Sequence, residues 1–139
     1  MKLFLDTNII YDVFAERHPF YDDSAQIWNF AERGKIIGCV SVTTFNNLYY
    51  IMRREMGREK AERAMHILRA ICTPILFDTQ ILNQAIDSRM KDFEDAIQFF
   101  SALHSGADYL ITRNVKDFPR VDIPVLTPEE FLGLNPGFS

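Results

Sequence analysis

The stretch Leu3-Phe4-Leu5-Asp6-Thr7-Asn8 places a short apolar run directly before three polar residues. An apolar run of this length, followed by residues that favour helix starts, predicts a buried β-strand that ends at Asp6. The same arrangement recurs late in the chain, where Tyr109-Leu110-Ile111 is followed by Thr112-Arg113-Asn114. In a parallel sheet both strands would end at the same rim, so these polar residues are expected to lie close together.

Short apolar runs alternate with longer helical patterns along the whole chain, which is typical of a parallel sheet with helices on both faces. The pattern predicts an α/β, three-layer fold with about five mostly parallel strands, at 3–5, 36–40, 74–77, 109–111 and 124–126. The last strand is predicted to lie at an edge because Pro124 cannot donate to a ladder.

Helical spacing predicts seven helices between and after these strands. They are expected around 9–14, before Gly34, over 43–56, 58–71, 79–89 and 93–104, and from Thr127 onward. The segments 43–56 and 58–71 are interrupted at Gly57 and predict a helical hairpin after the second strand. Residues 1–139 are interpreted as one domain, with 133–139 as a loose tail.

Composition narrows the class of protein. Of the 139 residues, 47% are hydrophobic and 24% are charged, as in ordinary globular domains. The net charge of −4 does not attract a polyanion, so any RNA binding would need a local basic patch or metal ions. No apolar stretch approaches the ~20 residues of a membrane span, and Cys39 and Cys72 are predicted to be buried thiols, so a cytoplasmic location is expected.

Several acidic residues are predicted to meet at the rim where the strands end. Asp6 follows the first strand, Asp117 follows the fourth, and Asp92 and Asp95 open a late helix three residues apart. Oxygen ligands of this kind suit Mg²⁺ or Mn²⁺. A structural alternative stays open, because Asp6 would also cap the first helix and Asp92 with Asp95 would form an N-cap and N3 pair.

Other acidic residues are interpreted as structural. Asp78 is predicted to cap a helix, and Asp12 and Glu16 are predicted to lie on the solvated side of the first helix. A nucleotide-binding fold is disfavoured because no glycines follow the first strand.

Three motifs together resemble the PIN domain. They are Leu5-Asp6-Thr7-Asn8-Ile9-Ile10, Asp92-Phe93-Glu94-Asp95-Ala96, and the run from Leu110 to Phe118. Their order, their spacing and the intervening hairpin are most similar to the small prokaryotic PIN ribonucleases that act as toxins of toxin–antitoxin pairs. The resemblance implies a metal-dependent ribonuclease that uses Mg²⁺ or Mn²⁺, with Asp6 and Asp95 as principal ligands. Asp117 and Asn114 would complete the metal shell or orient water, and Asp92 is a further candidate ligand.

The sequence departs from this family at two positions that are usually acidic. Related nucleases usually carry a glutamate early in the helix after the second strand, where Asn47 stands here. Asn114 is likewise an amide where many relatives have aspartate. An amide keeps an oxygen but loses a charge, so cation affinity should fall. The alternative function is therefore a weakly active or inactive PIN scaffold that binds RNA or a protein partner.

Basic and aromatic residues predict contacts with partners. Arg113 and Lys116 flank the proposed site and are predicted to contact an RNA substrate. The arginines of the hairpin alternate with glutamates and are interpreted mainly as a solvated face with i,i+4 pairs. Tyr49 and Tyr50 are adjacent on a helix and cannot both be buried on one narrow face, so they are candidates for a homodimer or antitoxin contact.

Overall fold

The sheet of the computed structural model, which describes residues 1–138, contains five parallel strands. The strands are β1 (Lys2–Leu5), β2 (Ile37–Ser41), β3 (Cys72–Ile75), β4 (Tyr109–Ile111) and β5 (Val125–Leu126). Their order in the sheet is β3-β2-β1-β4-β5, and every neighbouring pair is parallel. The predicted α/β fold is confirmed, with a sheet that is parallel throughout.

Seven helices connect and cover these strands. They are α1 (Thr7–Phe14), α2 (Tyr21–Glu32), α3 (Val42–Met56), α4 (Arg58–Ile71), α5 (Thr79–Asp87), α6 (Phe93–Ser105) and α7 (Pro128–Gly133), with a short 3-10 turn at Val115–Asp117. The hairpin of α3 and α4 turns at Gly57, whose φ of 94° is a conformation that glycine adopts easily. None of these helices is long and apolar enough to cross a membrane.

The layering follows from the alternation of side chains along β1. Leu3 and Leu5 belong to a core that includes residues of α1, α2, α3, α4 and α7. Phe4 points to the opposite face and packs in a second core with Phe99 of α6. Helix α6 covers this second face, and α5 packs against α6 through Ile81. Both faces of the sheet are therefore covered by helices.

The order of the strands reverses between β1 and β4. The chain builds outward from β1 through β2 to β3, then returns to place β4 on the other side of β1. The two strands end together, since the Asp6 N–H donates to the Ile111 carbonyl at 3.0 Å. Open α/β sheets bind ligands at such a reversal, beyond the carboxyl ends of the strands.

Both edge strands contain or adjoin a proline. The predicted position of β5 at an edge is confirmed, with Pro124 directly before it. The strand predicted at 74–77 instead spans Cys72–Ile75 and forms the other edge. It starts early because α4 ends at Ile71 and Cys72 takes up extended backbone at once, pairing with Gly38.

Two further sequence expectations concern α1 and the C-terminal end. The prediction that Asp12 is solvated is wrong, because its side chain is fully buried beside two arginines. Gly133 closes α7, and the ring of Phe138 lies 5.2 Å from that of Phe30. Residue 139 lies outside the described part, so the loose tail at 133–139 stays a prediction.

Candidate active site

Asp6 directly follows β1 and is the N-cap of α1, as the structural alternative predicted. It also lies at the rim where β1 ends. Its Oδ1 accepts a hydrogen bond from the Thr7 N–H at 2.8 Å, and its Oδ2 accepts from Thr112 Oγ1 at 2.8 Å and from Asn8 Nδ2 at 3.1 Å. Burial raises the pKa of Asp6, while these donors and the charge of Arg113 oppose that rise. The carboxylate is therefore held firmly in place.

Asp95 occupies the N3 position of α6, and its N–H donates to the N-cap Asp92 at 3.0 Å. Its pKa is raised to about 7, first by burial and then by the negative charges of Asp6, Asp92, Asp117 and Glu94. The fold thus brings the four predicted metal ligands into electrostatic reach of one another. Negative charge accumulates around a single half-buried carboxyl group.

Asp95 borders two clefts. The first, called here the Asp6 cleft, has a volume of about 560 Å³. It is lined by Asp6, Thr7, Asn8, Tyr11, Arg17, Ile51, Arg54, Glu55, Glu94, Asp95 and Gln98. The second, called the Asp117 cleft, has a volume of about 600 Å³ and is lined by Arg89, Met90, Lys91, Asp92, Asp95, Lys116, Asp117, Phe118 and Pro119. Asp6 and Asp117 thus face Asp95 from different clefts.

The amide residues predicted for the site line neither cleft. Asn47 is half-buried on α3. Asn114 is exposed and precedes the 3-10 turn, with its backbone N–H donating to Thr112 Oγ1 at 3.1 Å. Their roles as ligands or water-orienting groups stay predictions.

The two basic residues predicted to contact RNA have different surroundings. Lys116 is exposed and lines the Asp117 cleft. Arg113 turns inward: its Nε lies 2.6 Å from Asp12 Oδ2, and its guanidinium stacks on Phe20 with 4.1 Å to the ring centroid. The contact with Asp12 is a close charge pair without the alignment of a hydrogen bond.

Two other arginines reach the Asp6 cleft, and the sequence interpretation missed them. Arg17 follows α1, and Arg54 lies in the last turn of α3. Arg54 also contacts Glu55 at 3.0 Å, and Arg17 lies 3.5 Å from Asp12. The expected i,i+4 pairs are found farther along the hairpin, between Arg58 and Glu62 and between Arg63 and Glu59.

A buried polar cluster beside the carboxylates was also missed. The Nε2 of Gln98 donates to Thr7 Oγ1 at 2.7 Å and to Thr44 Oγ1 at 3.1 Å, and the two hydroxyl oxygens lie 2.9 Å apart. A signal for Gln98 was present, because it follows Asp95 by three residues and so shares its face of α6. Asp78, by contrast, caps α5 as predicted by accepting from the Ile81 N–H.

The donor set fits a hard divalent cation that keeps most of its water. Within residues 1–138, no group of three or more His, Cys, Asp or Glu side chains is close enough to hold one ion. Mg²⁺ commonly binds through only one or two carboxylates and retains several waters. Asp6 and Asp95 supply two such carboxylates in one cleft, and the same lining includes Asn8 and Gln98, each of which has an unpaired amide oxygen.

Residues 2–116 match the sequence profile of the PIN domain. The chain belongs to the PIN domain family. The matched region includes β1 and β4, which end together at the rim, and it also includes the hairpin and α6. The resemblance noted in the sequence is thereby confirmed.

This PIN domain is similar in sequence to a curated protein and in fold to several solved structures. It is similar to Ribonuclease VapC1 of Aquifex aeolicus (strain VF5), with 32% identity over 135 residues, which cover 94% of this chain and 92% of the relative. Its fold is similar to that in VapBC2 from Rickettsia felis bound to a DNA fragment from their promoter (18% identity, TM-score 0.68, 91% and 98% coverage). It is also similar to that in VapBC-1 from nontypeable Haemophilus influenzae (24% identity, TM-score 0.67, 93% and 99% coverage).

Proposed function

We propose that this PIN domain is an Mg²⁺- or Mn²⁺-dependent endoribonuclease that acts as the toxin of a toxin–antitoxin pair. The observation that carries the proposal is the convergence of Asp6 and Asp95 in one cleft at the reversal of the sheet. The relationship to a protein named Ribonuclease VapC1, over nearly the full length of both chains, supports RNA as the substrate.

The electrostatics of Asp95 favour a cation beside it. Burial raises the pKa of Asp95 most, the negative charges of four other carboxylates raise it further, and none of the described basic side chains lowers it. A divalent ion in the cleft would offset the repulsion among these carboxylates, and this favours its binding. When bound, such an ion supplies positive charge to the phosphate and makes a water molecule more acidic.

The chain's own residues would position the substrate around that charge. Asp6 is immobilised by three donors, so it is a preorganised ligand. Arg17 and Arg54 in the Asp6 cleft and Lys116 in the Asp117 cleft are cations that would bind backbone phosphates on either side of Asp95. A single strand of RNA would then lie across Asp95.

The test is cleavage of a mixed pool of single-stranded RNA with and without Mn²⁺. Asp95→Asn should abolish Mn²⁺-stimulated cleavage because it removes a charged ligand while preserving the shape of the side chain. Asp87→Asn is the matched control: it makes the same chemical change at an exposed position that borders neither cleft. Equal cleavage by the parent and Asp95→Asn would refute the nuclease proposal.

A second candidate is a PIN scaffold that binds RNA or protein without cutting. It is favoured by one observation, that no three ligating side chains of the described residues are assembled for a metal. In that case the parent would bind RNA in a gel-shift experiment and show no Mn²⁺-stimulated cleavage. Detectable cleavage that depends on Asp95 would exclude it.

The proposed protein partner is an antitoxin, since solved structures with this fold include VapBC assemblies. A homodimer is also proposed. Tyr50 is 65% exposed and Tyr49 is partly buried against the core, so Tyr50 is the more available of the two for such contacts. Co-purification with the product of an adjacent reading frame would test the antitoxin, and light scattering of the free chain would test the homodimer. The proposed location of the protein is the cytoplasm.

A further inference from the structure

The orientation of the Gln98 amide is fixed by a count of protons. Three short contacts join Gln98, Thr7 and Thr44 in a triangle, and each contact needs one proton. With Nε2 facing the threonines, the amide and the two hydroxyls offer four protons. With Oε1 facing them, only the two hydroxyl protons remain, and one contact would have none. The amide nitrogen therefore faces the threonines.

This orientation leaves the Gln98 oxygen without a partner. The residue is only 4% exposed, and its Oε1 is buried and accepts no hydrogen bond from the protein. An unpaired buried acceptor is costly, so a native structure that retains one has a use for it or binds something there. Gln98 lines the Asp6 cleft together with Asp6 and Asp95.

The amide of Asn8 has the same arrangement. Its Nδ2 donates to Asp6, and its Oδ1 is buried without a partner. Asn8 and Gln98, each with an unpaired buried amide oxygen, thus belong to the lining of the cleft that holds two carboxylates. Asn47, at the position where relatives carry an acid, does not line this cleft.

We propose that Gln98 is a further ligand-binding residue, whose Oε1 accepts a hydrogen bond from a water of the divalent cation held by Asp6 and Asp95. In this role Gln98 acts on the ion through a bound water, in place of an acidic residue at position 47. The inference rests on the proposed metal-dependent function and names a residue of that same site. Thr7 and Thr44 are positioning residues, because they hold the amide with its oxygen free.

The experiment is a calorimetric titration of the RNA-free full chain with Mn²⁺ at pH 8. Gln98→Met keeps the size and removes the oxygen, and it should weaken Mn²⁺ binding about fivefold, the effect of one hydrogen bond. Gln98→Glu adds a charge at the same place and should tighten binding about threefold or more. Ser101→Ala is the control, since it deletes a buried hydroxyl on α6 that borders neither cleft.

The outcomes separate a ligand role from a structural one. Thermal unfolding in EDTA reports whether each variant folds, and Gln98→Glu carries the test alone if Gln98→Met does not fold. If both variants shift the unfolding temperature and leave the Mn²⁺ dissociation constant at the parent value, Gln98 is structural and the proposal is overturned. A gain from Asn47→Glu without a gain from Gln98→Glu would also overturn it.

Failure of the proposed function gives a different result. If the parent binds Mn²⁺ and cleaves RNA while the Gln98 variants bind normally, only the inference about Gln98 fails. If neither the parent nor any variant binds Mn²⁺, the metal-dependent function fails, and the role of Gln98 fails with it.

Discussion

Arg113 Nε lies 2.6 Å from Asp12 Oδ2, joining the loop after β4 to the last turn of α1. Asp12 is fully buried, and the residue before Arg113 is Thr112, whose hydroxyl donates to Asp6. The charge pair therefore fixes the loop that supports the proposed ligand Asp6. It also explains why Asp12 is buried, since Arg113 and Arg17 both offset its charge.

Breaking this pair should destabilise the protein. Asp12→Asn leaves the partly buried Arg113 without its counter-charge, and we expect a loss of about 2–3 kcal/mol in the free energy of unfolding, because a buried pair that loses one partner is costly. Urea unfolding followed by circular dichroism measures it. Asp22→Asn, at an exposed position of α2, is the control and should change stability by less than about 0.5 kcal/mol. A loss of that small size for Asp12→Asn would contradict the structural role of the pair.

The raised pKa of Asp95 predicts how the stability of the metal-free protein depends on pH. In the folded protein the pKa of Asp95 is about 7, against the ordinary 3.8, so the folded state holds this proton more tightly than the unfolded state. The stability that the bound proton contributes is fully present below about pH 4 and is lost as the pH rises through 7. Asp95→Asn should remove this loss and, after allowance for solvent screening, be about 1–2 kcal/mol more stable than the parent at pH 8. Urea titrations in EDTA at pH 5 and pH 8 test the prediction. Parallel losses in the parent and the variant would disprove it.

The same group predicts the pH dependence of metal binding. A carboxylate must lose its proton to bind a cation, so Mn²⁺ affinity should rise as the pH passes through 7. Between pH 6 and pH 8 the ionised fraction of a group with this pKa changes about tenfold, and the dissociation constant should fall by about the same factor. Calorimetry at both pH values measures it. A constant affinity would show that Asp95 does not bind the ion.

Arg54 is predicted to bind RNA through phosphate, without sequence preference. Arg54→Ala should raise KM several-fold with little effect on kcat, and it should reduce the slope of log affinity against log salt by about one. Arg69→Ala is the control, because Arg69 is exposed on α4 and borders neither cleft. Equal salt dependence in the parent and Arg54→Ala would place the RNA elsewhere.

The sequence predicted the sheet well because its signals are local. The apolar runs of β1 and β4 end in polar residues, and the fold places Asp6 and Thr112 in hydrogen-bond contact. The capping pair of Asp92 and Asp95 and the capping box at Thr127 follow from residue types at fixed spacing. Such features need no knowledge of distant parts of the chain.

The remaining features depend on contacts between distant segments. Asp12 was wrongly predicted on the solvated side of the first helix, because only the distant Arg113 makes the burial of its charge favourable. Arg54 reaches the Asp6 cleft because the hairpin packs over α1, an arrangement that spacing along the chain does not encode. The free oxygen of Gln98 becomes visible only once its two threonine partners are located.

The short edge strands of the sheet limit how copies of this chain can associate. Pro74 lies within the four-residue β3, and β5 has only two residues, so neither edge offers a long uninterrupted strand for another chain to pair with. Extension of the sheet from one molecule into the next is therefore disfavoured. We expect the proposed homodimer to be built from helix faces instead, without intermolecular strand pairing at the rim that carries Asp6 and Asp95.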